Sequence, residues 1–155
     1  MKKLVILLIS TMLTTASQAQ QGSKVEAPHA VSNAFHLKFP KAENVKWEME
    51  DVKNYEANFQ INKTEFSAVF NSLGIWQETE TEIKTIELPD AVKESINKQF
   101  SGYKIKEADK VEKILSPVGY EVELKKGKEI FEIYLSADGK VLSKKNESSD
   151  KNDKD

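Results

Sequence analysis

Residues 28–39 read PHAVSNAFHLKF, and residues 89–100 read PDAVKESINKQF. Pro28, Ala30, Val31, Phe35 and Phe39 return as Pro89, Ala91, Val92, Ile96 and Phe100. Val31, Phe35 and Phe39 fall at i, i+4 and i+8, as do Val92, Ile96 and Phe100. That spacing sets an apolar stripe on one side of a helix, and each proline suits a first helical turn because its missing N–H has no partner to lose there. Pro40 ends the first helix and Ser101-Gly102 the second. After each stop the period changes from helical to alternating, which predicts strands.

Outward from those stretches the likeness continues at a new offset. Tyr55 matches Tyr120, Glu56 matches Glu121, Lys63 matches Lys128, Phe66 matches Phe131 and Gly74 matches Gly139. The chain reads as a tandem duplication with a period above sixty residues, too long for a solenoid unit and close to a minimal domain. In the first copy strands are expected near 44–50, 54–61, 64–71 and 75–83. In the second they are expected near 103–112, 118–125, 128–135 and 140–144. Connections of two to four residues imply antiparallel meanders.

Alternation assigns the faces. Tyr55, Ala57, Phe59 and Ile61 share one side with Phe66, Ala68 and Phe70, and the second copy repeats this with Tyr120, Val122, Leu124, Phe131, Ile133 and Leu135. A helix laid on that side buries its stripe and leaves the other face wet. The expected fold is therefore α+β: a tandem repeat of one helix and a four-stranded antiparallel meander, forming an open-faced sheet with helices on one side. A single copy buries little surface, so joining the two edge to edge is expected to give one continuous core.

Residues 1–19 form a signal peptide: Lys2 and Lys3, the apolar run Leu4–Ile9, and small residues ending at Ala19. The run is shorter than the roughly 20 residues of a membrane span. No cysteine is present to carry a lipid or a disulfide. Residues 20–26 read as a flexible leader, 27–85 as the first repeat, 86–145 as the second and 146–155 as a polar, disordered tail. The expected location is the periplasm or the cell exterior, with no membrane insertion after cleavage.

The full chain carries 23 basic and 25 acidic residues, a net charge of -2, and every basic residue is lysine. Loss of residues 1–19 removes two lysines and no acid, which leaves the mature chain more acidic. Nucleic acid is excluded as a partner by this balance, and the missing arginine removes the side chain best suited to bidentate oxyanion recognition.

Reaction chemistry is sparse. His29 and His36 lie on one side of the first helix without further metal ligands. Glu78, Glu80 and Glu82 alternate on a strand and read as the charged guard of an exposed sheet edge, and they would serve a hydrolase only if two carboxylates converged in one cleft. No nucleophile elbow, P-loop or dinucleotide fingerprint occurs. No enzyme activity, cofactor or metal is expected. Trp47 and Trp76 read as core. Val69, Ile130 and Tyr134 fall on the polar side of the third strand of each copy, beside Glu65 and Glu132, and are the candidate partner-binding residues.

Two copies of Pro-x-x-Val-x-x-Ala/Ser-Phe/Ile-x-x-x-Phe, each followed by amphipathic strands, together with the segment YLSADGKV at 134–141, resemble the PepSY-like, beta-lactamase-inhibitor-like periplasmic proteins common in Bacteroidetes. The resemblance covers about residues 27–145. It implies a helix packed on a four-stranded antiparallel sheet, duplicated, with no catalytic motif to carry over. The secreted inhibitors it resembles carry disulfides, and this chain has none. The resulting expectation is a non-catalytic exported binding or inhibitor-like module whose exposed sheet face and hairpin loops contact a protein, such as a peptidase or another envelope enzyme. The alternative is a small-ligand sensor or carrier for a glycan, peptide or metal. Neither the partner nor the oligomeric state is legible.

Overall fold

The computed structural model describes residues 25–146, so the expected signal peptide, most of the leader and nearly all of the tail lie outside the described residues. The chain forms α1 (His29–Lys38), then β1 (Glu43–Met49), β2 (Asn54–Ile61), β3 (Thr64–Asn71) and β4 (Trp76–Glu82). A 3-10 turn at Thr85–Glu87 leads to α2 (Asp90–Gln99), and β5 (Lys104–Lys113), β6 (Gly119–Lys126), β7 (Glu129–Ser136) and β8 (Val141–Asn146) complete it. All eight strands join one antiparallel sheet in chain order, β1 to β8. The architecture is α+β: one open sheet with two helices.

Pro28 and Pro89 occupy the N-cap positions, one residue ahead of the expected first turn. Each helix closes on its last apolar residue, with Phe39 N–H donating to the Phe35 carbonyl and Phe100 N–H to that of Ile96, both at 2.8 Å. Turn chemistry sets the strand registers. Asn62 and Lys63 both have positive φ, the backbone of a type I′ hairpin whose twist suits the flanking strands. Gly74 and Gly139, at φ +79° and +84°, lie against the carbonyl oxygens of Ala30 and Ala91, where a Cβ has no room. These two glycines let a hairpin seat on the first turn of each helix.

Register also places both helices on the same side. Ala68, Thr79 and Glu112 lie abreast on β3, β4 and β5, while Ala108, two and four residues along β5 from Lys110 and Glu112, is buried beneath α2. Phe35 makes edge contacts with Trp47 at 5.2 Å and Phe59 at 5.0 Å, and Trp76 donates its ring N–H to Thr79 Oγ1 at 2.8 Å. Both tryptophans are packing residues.

Two expectations are corrected. The interior is not continuous: Val31, Phe35, Ala57, Phe59, Ala68 and Phe70 form one cluster, and Leu88, Val92, Ile96, Val122, Phe131, Ile133 and Leu135 belong to another. At the seam Thr79, Thr81, Lys110 and Glu112 face the helix side, and a ten-residue helix spans only about 15 Å, enough to cover its own strands. The strand bearing Glu78, Glu80 and Glu82 is not an edge either. β4 pairs with β3 on one side and β5 on the other, and the edges are β1 and β8.

Candidate functional site: the bare sheet face and its hairpin end

The face away from the helices is built by alternation. β2 contributes Glu56 and Asn58, β3 Glu65, Ser67 and Val69, and β4 Glu78, Glu80 and Glu82. β5 contributes Glu107, Asp109, Val111 and Lys113, β6 Glu121 and Glu123, and β7 Ile130, Glu132 and Tyr134. Cross-strand register brings the acids together. Glu82 is opposite Asp109, which is opposite Glu121, while Glu107 is opposite Glu123 and that in turn is opposite Glu132. A recess of about 260 Å³ between them is lined mainly by these carboxylates.

Like charges opposite one another on a sheet repel, and the chain answers by keeping protons. Burial, then Glu80 and Glu132, push the Glu121 carboxyl up to about 9. Burial and Glu78 push Glu80 up to about 7, although Ser67 Oγ donates to it at 3.1 Å. Asp109 rises to about 6 through burial and the charges of Glu107, Glu82 and Glu132, and Glu56 is raised by burial and by Glu50. Near neutral pH the recess therefore holds neutral and ionised carboxyls side by side. Glu78, Glu80 and Glu82 are not separately solvated: Glu78 pairs with Lys113 at 2.9 Å, and Glu80 belongs to the shared recess.

Lys113 also sits 4.8 Å above the Tyr134 ring. Tyr134 in turn lies over Gly119, where a Cβ would collide with its hydroxyl. Beneath them Val111 is 0% exposed, although it points away from both helices. This part of the bare face thus has a small packed layer of its own. Beside it, Pro117, Val118, Tyr134 and Leu142 line a second recess of about 280 Å³.

The meander sends the β1–β2, β3–β4, β5–β6 and β7–β8 connections to one end of the sheet. Ser72 N–H donates to the Lys53 carbonyl and Ile114 N–H to that of Gln77, tying neighbouring loops. The first three of these connections carry apolar tips, whereas the β7–β8 turn is Ala137-Asp138-Gly139. Val52 is 89% exposed, Leu73 75% and Leu115 100%, with Ile75 and Ile114 also exposed. Leu115 is additionally held at φ +57°, a conformation in which a leucine is strained.

All five expected partner-binding residues lie on the bare face, but only Glu65 and Glu132 come together, in the acidic recess. Glu65 and Val69 are on β3, whereas Ile130, Glu132 and Tyr134 are on β7, four strand spacings or about 19 Å away. Glu65, which accepts from the Gln60 amide, lines the acidic recess together with Glu132, and Tyr134 lines the apolar one. Sequence reasoning missed Asp109 and Glu121 as partners of Glu80, and it pointed to the hairpin loops without naming their apolar tip residues. The parity of the acids along each strand was a usable signal, as were the apolar residues inside turns. Among the described residues no group of His, Cys, Asp and Glu is placed to hold a metal ion, and no helix is long and apolar enough to cross a membrane.

An open antiparallel sheet covered by helices on one side, with its other face bare, places the chain in the α+β class. Residues 53–143 match the family described as "Putative beta-lactamase-inhibitor-like, PepSY-like", and the chain belongs to that family. Solved structures share the fold. A BLIP-like protein from Bacteroides fragilis is 25% identical, with a TM-score of 0.67 over 81% of this chain and 90% of its own. A DUF2874 family protein from Bacteroides ovatus is 22% identical, TM-score 0.72, over 81% and 91%. A structure titled "putative periplasmic proteins" from Bacteroides eggerthii is 22% identical, TM-score 0.72, over 79% and 90%. No curated protein matches the chain.

Proposed function

We propose that this chain is a non-catalytic exported module that binds a protein partner, a peptidase or another envelope enzyme, through the hairpin end and the adjoining bare sheet face. The observation that carries the reading is the row of exposed apolar tips, Val52, Leu73, Ile114 and Leu115, at one end of a sheet whose face has no cover. Water-exposed aliphatic groups on successive loops at one end of the sheet, one of them on strained backbone, gain little from folding and suit insertion into a cleft. The crowded carboxylates favour a partner with basic groups, which would relieve their repulsion. The acidic recess is open to solvent on the flat of the sheet, so these carboxyls act as charge rather than as a water-excluding reaction centre.

Location in the periplasm is supported by the leader sequence and by the description of the Bacteroides eggerthii structure as periplasmic. Tandem duplication is supported by matching details, the Gly74–Ala30 and Gly139–Ala91 approaches among them. Residues 27–85 and 86–145 are then the two copies. Of the five residues named from sequence, Tyr134 is best placed, because it lines the apolar recess beside the Ile114–Leu115 hairpin.

The test is photocrosslinking to envelope extract from an amino-acid crosslinker placed at Leu115, and separately at Leu37, an exposed helix leucine used as control. A discrete adduct from Leu115 alone, lost when Leu73→Ser is added, supports the reading. Equal labelling from both sites, or none, rejects it.

A further inference from the structure

Opposite the hairpin end, the sheet gathers lysines. Lys104 lies directly across from Lys125 on the bare side, with Lys106 beside them in the β5 bulge and Lys126 and Lys128 bracketing the β6–β7 turn. Two like charges directly opposed in a ladder destabilise it. Among the described residues Lys104, Lys106, Lys125 and Lys128 have no carboxylate within ion-pair distance, in a chain where acids outnumber bases. The nearby Glu129 is engaged, accepting from the Tyr103 hydroxyl at 2.6 Å.

These side chains enclose something. Gly102, Lys104, Lys106, Lys125, Lys126 and Gly127 line a recess of about 310 Å³. Its floor is shaped by Gly102 at φ +86° and Gly127 at φ +63°, and Lys126 is laid across Gly102 and over the Tyr103 ring at 5.3 Å. Lys126 is thereby held in place while the lysines around it stay exposed. Ammonium groups act on oxyanions as mobile point charges, so several together suit a ligand with several anionic groups rather than one carboxylate.

We infer that the recess between Gly102 and Gly127 is a binding site for a multiply phosphorylated small molecule or lipid headgroup. Such a ligand would place its phosphates among Lys104, Lys106, Lys125 and Lys126 and relieve the Lys104–Lys125 opposition. The site is at the far end of the sheet from the hairpin tips, so it stands whether or not the protein-binding reading does.

The experiment titrates the full mature chain with inositol hexakisphosphate, and separately with vesicles containing phosphatidylinositol bisphosphate, against the double variant Lys104→Gln/Lys125→Gln. Calorimetry measures the soluble arm, co-sedimentation the vesicle arm, and lysine side-chain NMR the location. The expected result is saturable binding that weakens about tenfold in the double variant and several-fold between about 20 and 200 mM salt, with Lys41→Gln/Lys46→Gln unchanged. Site-dependent binding in the soluble arm identifies a free phosphate ligand, and in the vesicle arm alone a lipid headgroup. Equal loss in both double variants, shifts spread evenly over all lysines, or no binding in either arm overturns the assignment. Unaltered thermal unfolding of both double variants shows that the exposed substitutions spare the fold.

Discussion

Raising the pH from about 5 to 7.5 is expected to destabilise this protein, and Glu121→Gln is expected to remove much of that sensitivity. Glu121, Glu80 and Asp109 titrate near 9, 7 and 6 in the folded chain, against 4.5, 4.5 and 3.8 as starting values. Between those limits the native state holds protons that the unfolded chain has released, so stability falls with rising pH. Their contribution is whole below about pH 4 and is lost progressively as pH climbs through the folded values. Asp51, Asp90 and Asp138 have the opposite sign, being lowered by backbone or side-chain hydrogen bonds, and their contribution fades only below about pH 4.

A little over two protons separate the two states near pH 6, which corresponds to a slope of about 3 kcal/mol per pH unit. Partial solvation of the bare face reduces this to about 1 kcal/mol per unit. Across the interval the loss is about 2 to 3 kcal/mol, or roughly 8 to 12 °C in Tm for a domain of this size. Thermal unfolding followed by circular dichroism at constant ionic strength measures it. Glu121→Gln, a neutral isostere, should match the parent near pH 5 and exceed it by about 1 to 2 kcal/mol near pH 8. A parent Tm that is flat or rising from pH 5 to 7.5, or an equal slope in Glu121→Gln, would refute the shared-proton account.

Phe35→Ala should cost about 3 to 5 kcal/mol in urea unfolding, because Phe35 is fully buried among Trp47, Phe59 and Phe70. Gly74→Ala should cost about 2 to 3 kcal/mol, since positive φ and the Ala30 carbonyl oxygen 2.5 Å from the new Cβ act together. Gly127→Ala, with open space around it, should cost about 1 kcal/mol in the same assay. Leu115→Gly should leave Tm unchanged or raise it by a few degrees, as it relieves a strained and fully exposed leucine, while it weakens capture of the partner.

Local chemistry explains which parts of the fold were legible. The expected strands 54–61 and 64–71 coincide with β2 and β3 because the Asn62-Lys63 turn fixes both ends and alternation fixes the faces. No such signal governs β4 against β5. Their partnership is set across the twenty-one residues between Glu82 and Lys104, where a 3-10 turn and α2 intervene. Without that register Glu80, Asp109 and Glu121 could be placed on the right face but not beside one another, and Glu78–Glu82 passed for edge protection. For the same reason the sequence could not show that, of the five candidate contact residues, Glu65 and Glu132 share one recess while the others stand apart, since the distance from β3 to β7 depends on the central pairing. Val111 escaped notice because burial on the side away from the helices needs Lys113 and Tyr134 to fold over it.

The segregation of charge in this chain runs against stability. Acids crowd the centre of the bare face until Glu121 keeps its proton, while Lys104 and Lys125 face each other at one end without a carboxylate. Exchanging Glu123 with Lys125 would set a lysine against Glu107 and Glu132 and a glutamate against Lys104 on the same face of the same strand, so charge pairing alone does not demand the present order. Aliphatic tips on the opposite end add a third departure, since turns need no leucine at Leu73 or Leu115. Departures from local consistency of this kind belong to surfaces that meet something else. Three chemically distinct zones, apolar loops, carboxylates and lysines, follow one another along one sheet, so the proposed docking of a partner would have a defined direction.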